Sequence, residues 1–309
     1  MLKIQTVALK IARAFCAPAL VLITVAVMLS ASAAVQSGRQ SNEKKNATPA
    51  QPPPVLKRAT VRRDSRRLGY GGTVVIYGAP EGSITVEGWT KSEVEITAEL
   101  EQSATSEEEL TRLSAVNTFT VVEDLNHLEV TTLGTHDRKY LKRAARDLPK
   151  KLLTMPWKID YHLRVPASVD LDIYAGRGAL NIAGVEGAIH ITGGEGESNL
   201  TFTGGDIEAL LRSGPVNVRV PARNWRGRGM NLRVAAGDLN IELPAGFSGD
   251  INAEALGTGR VENLYAGLTP RERTHADERN LQGRAGQGGA TLSLTVVNGT
   301  LRITQAASK

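Results

Sequence analysis

The side chains in this sequence that carry chemistry are few and scattered. Five histidines (His127, His136, His162, His190, His275) show no metal-ligand spacing and no H-E-x-x-H pair. His190 falls between Ile189 and Ile191, so strand alternation turns it outward, and all five read as surface residues. Cys16 is the single cysteine, which excludes an intrachain disulfide and a cysteine-rich zinc site. Asp170 and Asp172 share one strand face and come nearest to the paired carboxylates of a glycoside hydrolase, yet nothing in the sequence assembles around them. Residues 193–201 nearly fit the calcium-binding nonapeptide G-G-x-G-x-D-x-U-x. Ser198 stands where the aspartate belongs and no tandem copy follows, so the stretch reads as a glycine corner. Ser248 lacks the G-x-S-x-G spacing of a nucleophile elbow, and the glycine doublets open no helix. No catalytic, cofactor-binding or metal-ligating residue is assigned, and no cofactor is expected. One loop has binding chemistry: Trp225 with Arg223, Arg226 and Arg228 offers an aromatic face and three guanidinium groups to a sugar or an anionic polysaccharide. The plainer and favoured reading folds the indole against the edge of the fold and leaves the arginines in water.

The elements that hold these residues are short strands. Residues 73–77, 83–87 and 93–98 alternate apolar and polar with period two, separated by Gly, Pro and Lys-Ser turns. Ser106 followed by Glu109 is a capping box that opens a short helix through Leu110 and Leu113. Strands return at 119–122 and 128–132. Residues 136–156 break the pattern: they are strongly basic, helical in propensity and interrupted by Pro149. An amphipathic segment for an acidic surface and a solvated insertion both fit; the thin apolar stripe (Tyr140, Leu141, Ala144, Leu148) favours the insertion.

The carboxyl-terminal half holds 23 of the 31 glycines, between Gly176 and Gly299. Among them recur apolar pairs two residues apart: Leu180/Ile182, Ile189/Ile191, Leu200/Phe202, Val216/Val218, Leu232/Val234, Leu239/Ile241 and Ile251/Ala253. Their irregular intervals speak against a strict repeat, while small aliphatic cores and sparse hairpin signals speak for stacking. Asn181, Asn199, Asn217, Asn240 and Asn252 lie beside the strands and are placed to stack as corner ladders. On pattern alone, a solenoid and a sandwich stay nearly level.

Charge divides the chain. Residues 1–34 run basic, apolar, then small: Lys3, Lys10 and Arg13, a greasy stretch, and Ala31 to Ala34. This is a secretory signal cut after Ala33 or Ala34, or else a retained anchor, since residues 17–35 are long enough to span a bilayer. Residues 35–67 carry nine basic and two acidic groups, net +7, with a Pro triplet; they read as a disordered linker that either is solvated or lies on an anionic membrane surface. Residues 68–309 carry 25 basic and 30 acidic groups, net −5. The pI of 9.3 therefore describes the tail, and nucleic-acid binding is not expected of the body.

Several of these residues resemble a known family. The run from Tyr161 to Ile173 is similar to the entry strand of the bacterial putative-adhesin, β-strand-repeat family of unknown function. The segments 178–182, 187–191, 205–209 and 214–218 resemble its glycine-led rungs, and 243–247 with 297–303 its ending. The likeness covers roughly Thr73 to Ile303, weakly before residue 157, with insertions at 136–156 and 264–289. It implies an all-β, right-handed parallel β-helix, or solenoid-like, domain over 68–304 with a short tail at 305–309, and it brings no site residues. The function expected is an exported, non-enzymatic surface, scaffold or adhesion module of the bacterial envelope, in periplasm, at the cell surface or outside it. Polysaccharide or an envelope protein would be its partner. The alternatives are an exported carbohydrate-active enzyme on a β-helix, and a membrane-tethered envelope-stress or signalling partner.

Overall fold

The computed structural model describes residues 55–270 and 278–307. Cys16, the leader with Ala33 and Ala34, linker residues 35–54, and His275 lie outside the described residues. Among those described, no helix is long and apolar enough to cross a membrane.

The body is all-β, with one sheet of ten strands and a second of eleven. Through its middle the chain alternates between them. Asp170–Arg177, Ala188–Glu195, Gly204–Ser213 and Arg226–Ala236 neighbour one another in the second sheet. Leu180–Ala183, Ser198–Thr201, Val216–Arg219 and Leu239–Leu243 do so in the first. Every pairing in both series is parallel and in register, save for a one-residue bulge where Gly204–Asp206 meets Arg226–Gly229. Each turn of the coil therefore uses one strand from each sheet. The apolar doublets face inward from both sheets, and no member of the seven is more than 2% exposed. Each such aliphatic side chain contributes about 1.5–3 kcal/mol by burial, so the doublets are the main cohesive force of the stack.

One turn consumes 18 residues, and Asn181, Asn199 and Asn217 stand 18 apart in a row. This period overrides the irregular intervals read from strand to strand, which arise because the two connections within a turn differ in length. The next step, Asn217 to Asn240, takes 23 residues, because the loop carrying Trp225 is inserted there. At one corner the turns are joined by a glycine column: Gly178, Gly196, Gly214, Gly237 and Gly299 all have positive φ. A Cβ on any of them would lie 2.0–2.4 Å from the carbonyl oxygen of the glycine one turn away. Asn298-Gly299, the clearest hairpin signal in the sequence, is one of these corners between sheets and not a hairpin.

The ends depart from the parallel pattern. The basic segment assigned by composition to a disordered linker is, from Leu56 to Arg67, an edge strand paired antiparallel over its whole length with Glu93–Ala104. Twelve residues of backbone pairing, with Lys57 near Glu101 at 3.6 Å and Arg58 bound to Glu107 at 2.6 Å, outweigh a composition that by itself reads as unfolded. Glu93–Ala104 pairs in turn with Trp157–Pro166, again antiparallel. Thr118–Asp124 and His127–Leu133 form an antiparallel pair at the matching edge of the second sheet. A helix at Glu107–Val116 lies between, opened by Ser106, whose Oγ accepts from the Glu109 N–H. Residues 264–289 are likewise more than an insertion: Asn280–Ala285 is a strand paired antiparallel with Gly249–Ala255, and Leu268–Pro270 extends the sheet. Insertion 136–156 holds a helix at Arg138–Ala144 and a 3-10 turn at Lys150–Thr154.

The last turn closes out of chain order. Thr291–Asn298 and Thr300–Gln305 sit inside the stack, between the turn at residues 226–243 and the earlier strands Gly249–Ala255 and Arg260–Asn263.

Candidate binding faces

The structure removes the aromatic from the Trp225 loop. Trp225 is 8% exposed and packs into the core, and its Nε1–H donates to the Gly205 carbonyl at 3.0 Å. Arg226 is bound to Glu186, which also accepts from the Thr203 hydroxyl at 2.6 Å. Arg228 lies 3.4 Å from Asp206. Arg223 is exposed and its carbonyl accepts from the Ser248 N–H. Trp225, Arg223, Arg226 and Arg228 thus do not make a stacking platform. An indole in a turn five residues longer than the two before it is better placed on apolar surface, with its one polar atom satisfied, than in water.

The two acidic candidates separate. Asp170 is used by the fold: its Oδ1 accepts from the Ala188 N–H at 2.7 Å. Asp172 faces outward and meets His190, with Nδ1 3.1 Å from Oδ1, while Glu208 lies 3.8 Å from Nε2 on the other side. This row is one the sequence reading missed, although its signal was present: Asp172, His190 and Glu208 are 18 residues apart, one coil turn each. The three side chains are 36–65% exposed, so water screens them and each pair is worth about 0–1 kcal/mol. Beside the row, Tyr77 and Tyr174 stack with centroids 4.7 Å apart and planes 12° from parallel. Burial, then Tyr174, Glu129 and Asp172 push the Tyr77 phenol above its ordinary value. His127 and His136 are also exposed, and His162 is half-exposed, as expected of surface residues. The His136 ring rests 5.5 Å from Trp157, and although the residue is exposed overall, partial desolvation of the ring lowers its pKa. The near-calcium stretch runs from the end of one strand through a corner at Gly196 and Glu197 into the next strand, with Gly193, Gly194 and Gly196 at positive φ.

The outer face of the first sheet carries the most regular polar feature. Asn181 donates to the Thr85 hydroxyl at 3.3 Å. Asn199 donates to Asn181 Oδ1 at 3.2 Å, Asn217 to Asn199 at 3.0 Å, and Asn240 to Asn217 at 3.2 Å. The expected asparagine ladder therefore exists, along the strands' outward positions and not at a corner. Asn252 stands apart from it, in the second sheet. A hollow of about 230 Å³ follows the row, bounded by Thr201, Arg219 and Glu242. Asn181, Asn217 and Asn240 each spend one N–H within the row and retain a second, Asn199 gives its second N–H to Glu197 at 3.3 Å, and every amide keeps a spare lone pair for an external partner. Parallel strands set the repeat at about 4.8 Å.

No family model and no curated protein matches the chain. Among solved structures the chain is similar to a putative cell adhesion protein from Clostridium sporogenes ATCC 15579, at 13% identity over 80% of this chain and 100% of that one, with a TM-score of 0.43. It is also similar to a putative adhesin from Bacteroides fragilis NCTC 9343, at 12% identity over 80% and 97% of the two chains and a TM-score of 0.26. A putative adhesin from Parabacteroides distasonis ATCC 8503 is 9% identical over 79% and 97%, with a TM-score of 0.22. Identities this low, with TM-scores below 0.5, carry nothing about what this chain binds.

Proposed function

We propose that the chain is an exported, non-enzymatic adhesion module of the bacterial envelope that takes a polysaccharide along its asparagine row. The carrying observation is the continuous amide ladder from Asn181 to Asn240, exposed at Asn199 and bordered by a shallow hollow. An extended sugar polymer offers alternating hydroxyl donors and acceptors, which the spare lone pairs of the row and the free N–H groups of Asn181, Asn217 and Asn240 can meet. Export is supported by the basic, apolar, small-residue order of residues 1–34. A right-handed coil is supported by the rule that parallel strands of one sheet are joined by right-handed crossovers in about 98% of cases. A surface role without catalysis is supported by the openness of the Asp172 and Glu208 carboxylates, which stand on a sheet face in water instead of in a cleft that grips a sugar ring.

The test is calorimetric titration of the purified chain with neutral and anionic bacterial polysaccharides, alongside the double variant Asn199→Leu, Asn217→Leu. Binding by the wild type that the variant loses, with an unchanged circular dichroism spectrum, supports the assignment. Equal binding by both proteins refutes the row, and release of reducing ends during the titration refutes the non-enzymatic reading.

A further inference from the structure

The insertion at residues 136–156 is set apart from the rest of the molecule by its charge. Between Arg138 and Lys151 there are seven lysines and arginines against the single Asp147, a net of +6. Residues 68–309 together are net −5, so everything in that span outside the segment is net −11. A solvated spacer has no need of such a concentration. Two of the seven are engaged within the fold: Lys151 pairs with Glu109, and Arg146 donates to the Lys142 carbonyl at 2.7 Å. Arg138, Lys139, Lys142, Arg143 and Lys150 are exposed, and no carboxylate of the described residues pairs with them.

These cations surround an apolar hollow. The Arg138–Ala144 helix and the Lys150–Thr154 turn enclose an open groove of about 520 Å³, with Leu141, Leu148 and Leu153 along it and Lys142, Arg146 and Lys150 at its border. Leu153 is 39% exposed. Apolar side chains ringed by long cationic ones suit an interface in which phosphates lie above hydrocarbon, because lysine and arginine stems cover the apolar part while their heads reach the phosphates. Leu148 and Met155 pack on the same small cluster as Leu56, the first residue of the basic edge strand Leu56–Arg67.

We propose that the insertion docks the body onto an anionic phospholipid surface. The proposal is independent of the asparagine row, which lies on the first sheet and is untouched by the variants below. The experiment is co-sedimentation of the full chain with vesicles of phosphatidylcholine alone and of phosphatidylcholine mixed with phosphatidylglycerol. The variant carries Lys139→Gln, Lys142→Gln, Arg143→Gln and Lys150→Gln. The leader is common to both proteins and cancels in their ratio. At about five-fold per cation, the variant is expected to lose several hundred-fold in affinity for the mixed vesicles. Its binding to phosphatidylcholine should be unchanged, and raised salt should erase the difference between the two proteins. If four changes disturb the helix, Lys142→Gln with Lys150→Gln alone should give about 25-fold. Equal binding of variant and wild type to the mixed vesicles overturns the proposal. So does wild-type binding to soluble polyglutamate or heparin as tight as to the vesicles, since that would make the partner an acidic polymer.

Discussion

Gly214→Ala probes the glycine column directly. Gly214 has φ +112°, and a Cβ there would lie 2.1 Å from the Gly196 carbonyl oxygen and 2.6 Å from its carbon, both backbone atoms. A contact between such atoms below 3.0 Å cannot be kept, so two adjacent turns must separate by about 1 Å on a spacing of about 4.8 Å. Separation stretches the bond that ties these two turns at the corner, from the Gly196 N–H to the Ser213 carbonyl at 2.9 Å. Backbone strain at positive φ costs about 1–3 kcal/mol and forced overpacking about 1–3 more, which places the loss near 4 kcal/mol. Gly246→Ala is the matched control, because Gly246 has φ +74° with nothing within 4 Å of its Cβ position. Its cost is about 1 kcal/mol from the left-handed backbone, partly offset by a less flexible unfolded chain. Urea denaturation of both variants and wild type, with hydrogen exchange at the amides of residues 198–218, measures the difference. Stacked turns unfold partly as neighbours, so the exchange data should show the loss centred on the turns flanking Gly214. A Gly214→Ala protein within about 1 kcal/mol of Gly246→Ala would refute the close-contact column.

Three further perturbations test other parts of the molecule. Ile189 is fully buried between Leu171 and Ile207 in adjacent strands, and Ile189→Asp puts a carboxylate where nothing can pair with it. The expected outcome is loss of soluble folded protein; a soluble variant with a wild-type urea midpoint would contradict the buried stack. Trp225→Ala should cost about 3–5 kcal/mol in urea denaturation, as expected for removing a core indole. Unchanged stability together with weakened polysaccharide binding would return the residue to the ligand role. Hydrogen bonding by Lys151, then by the Thr105 hydroxyl and N–H, holds the Glu109 carboxyl down at about 2, against an ordinary 4.5. Its contribution to stability is therefore complete above the ordinary value and is lost as pH falls from there through about 2. Glu109→Gln should flatten that part of the stability profile, and a profile identical to wild type would show that the Lys151 contact is not made in solution.

Much of this fold can be read locally, because side-chain alternation in a strand depends only on its own residues. The seven apolar doublets, the outward turn of His190, the Ser106–Glu109 cap and the helical start of the insertion all follow from neighbours a few residues apart. What alternation leaves open is which strand lies beside which. Parallel pairing is between residues a full turn apart, so the 18-residue rows Asp172–His190–Glu208 and Asn181–Asn199–Asn217 are blurred when strands are counted one after another. The tertiary structure alone decided that Leu56–Arg67 becomes a strand, since its partner Glu93–Ala104 lies far along the chain and composition carries no trace of that pairing. It also decided how deep Trp225 goes, past the edge packing that the sequence favours and into the core, and that residues 291–305 slip in beneath strands made earlier. Local sequence specifies which face of each strand seeks the dry interior; only the assembled stack specifies its neighbours, because hydrogen bonds between backbones are the same for every residue type.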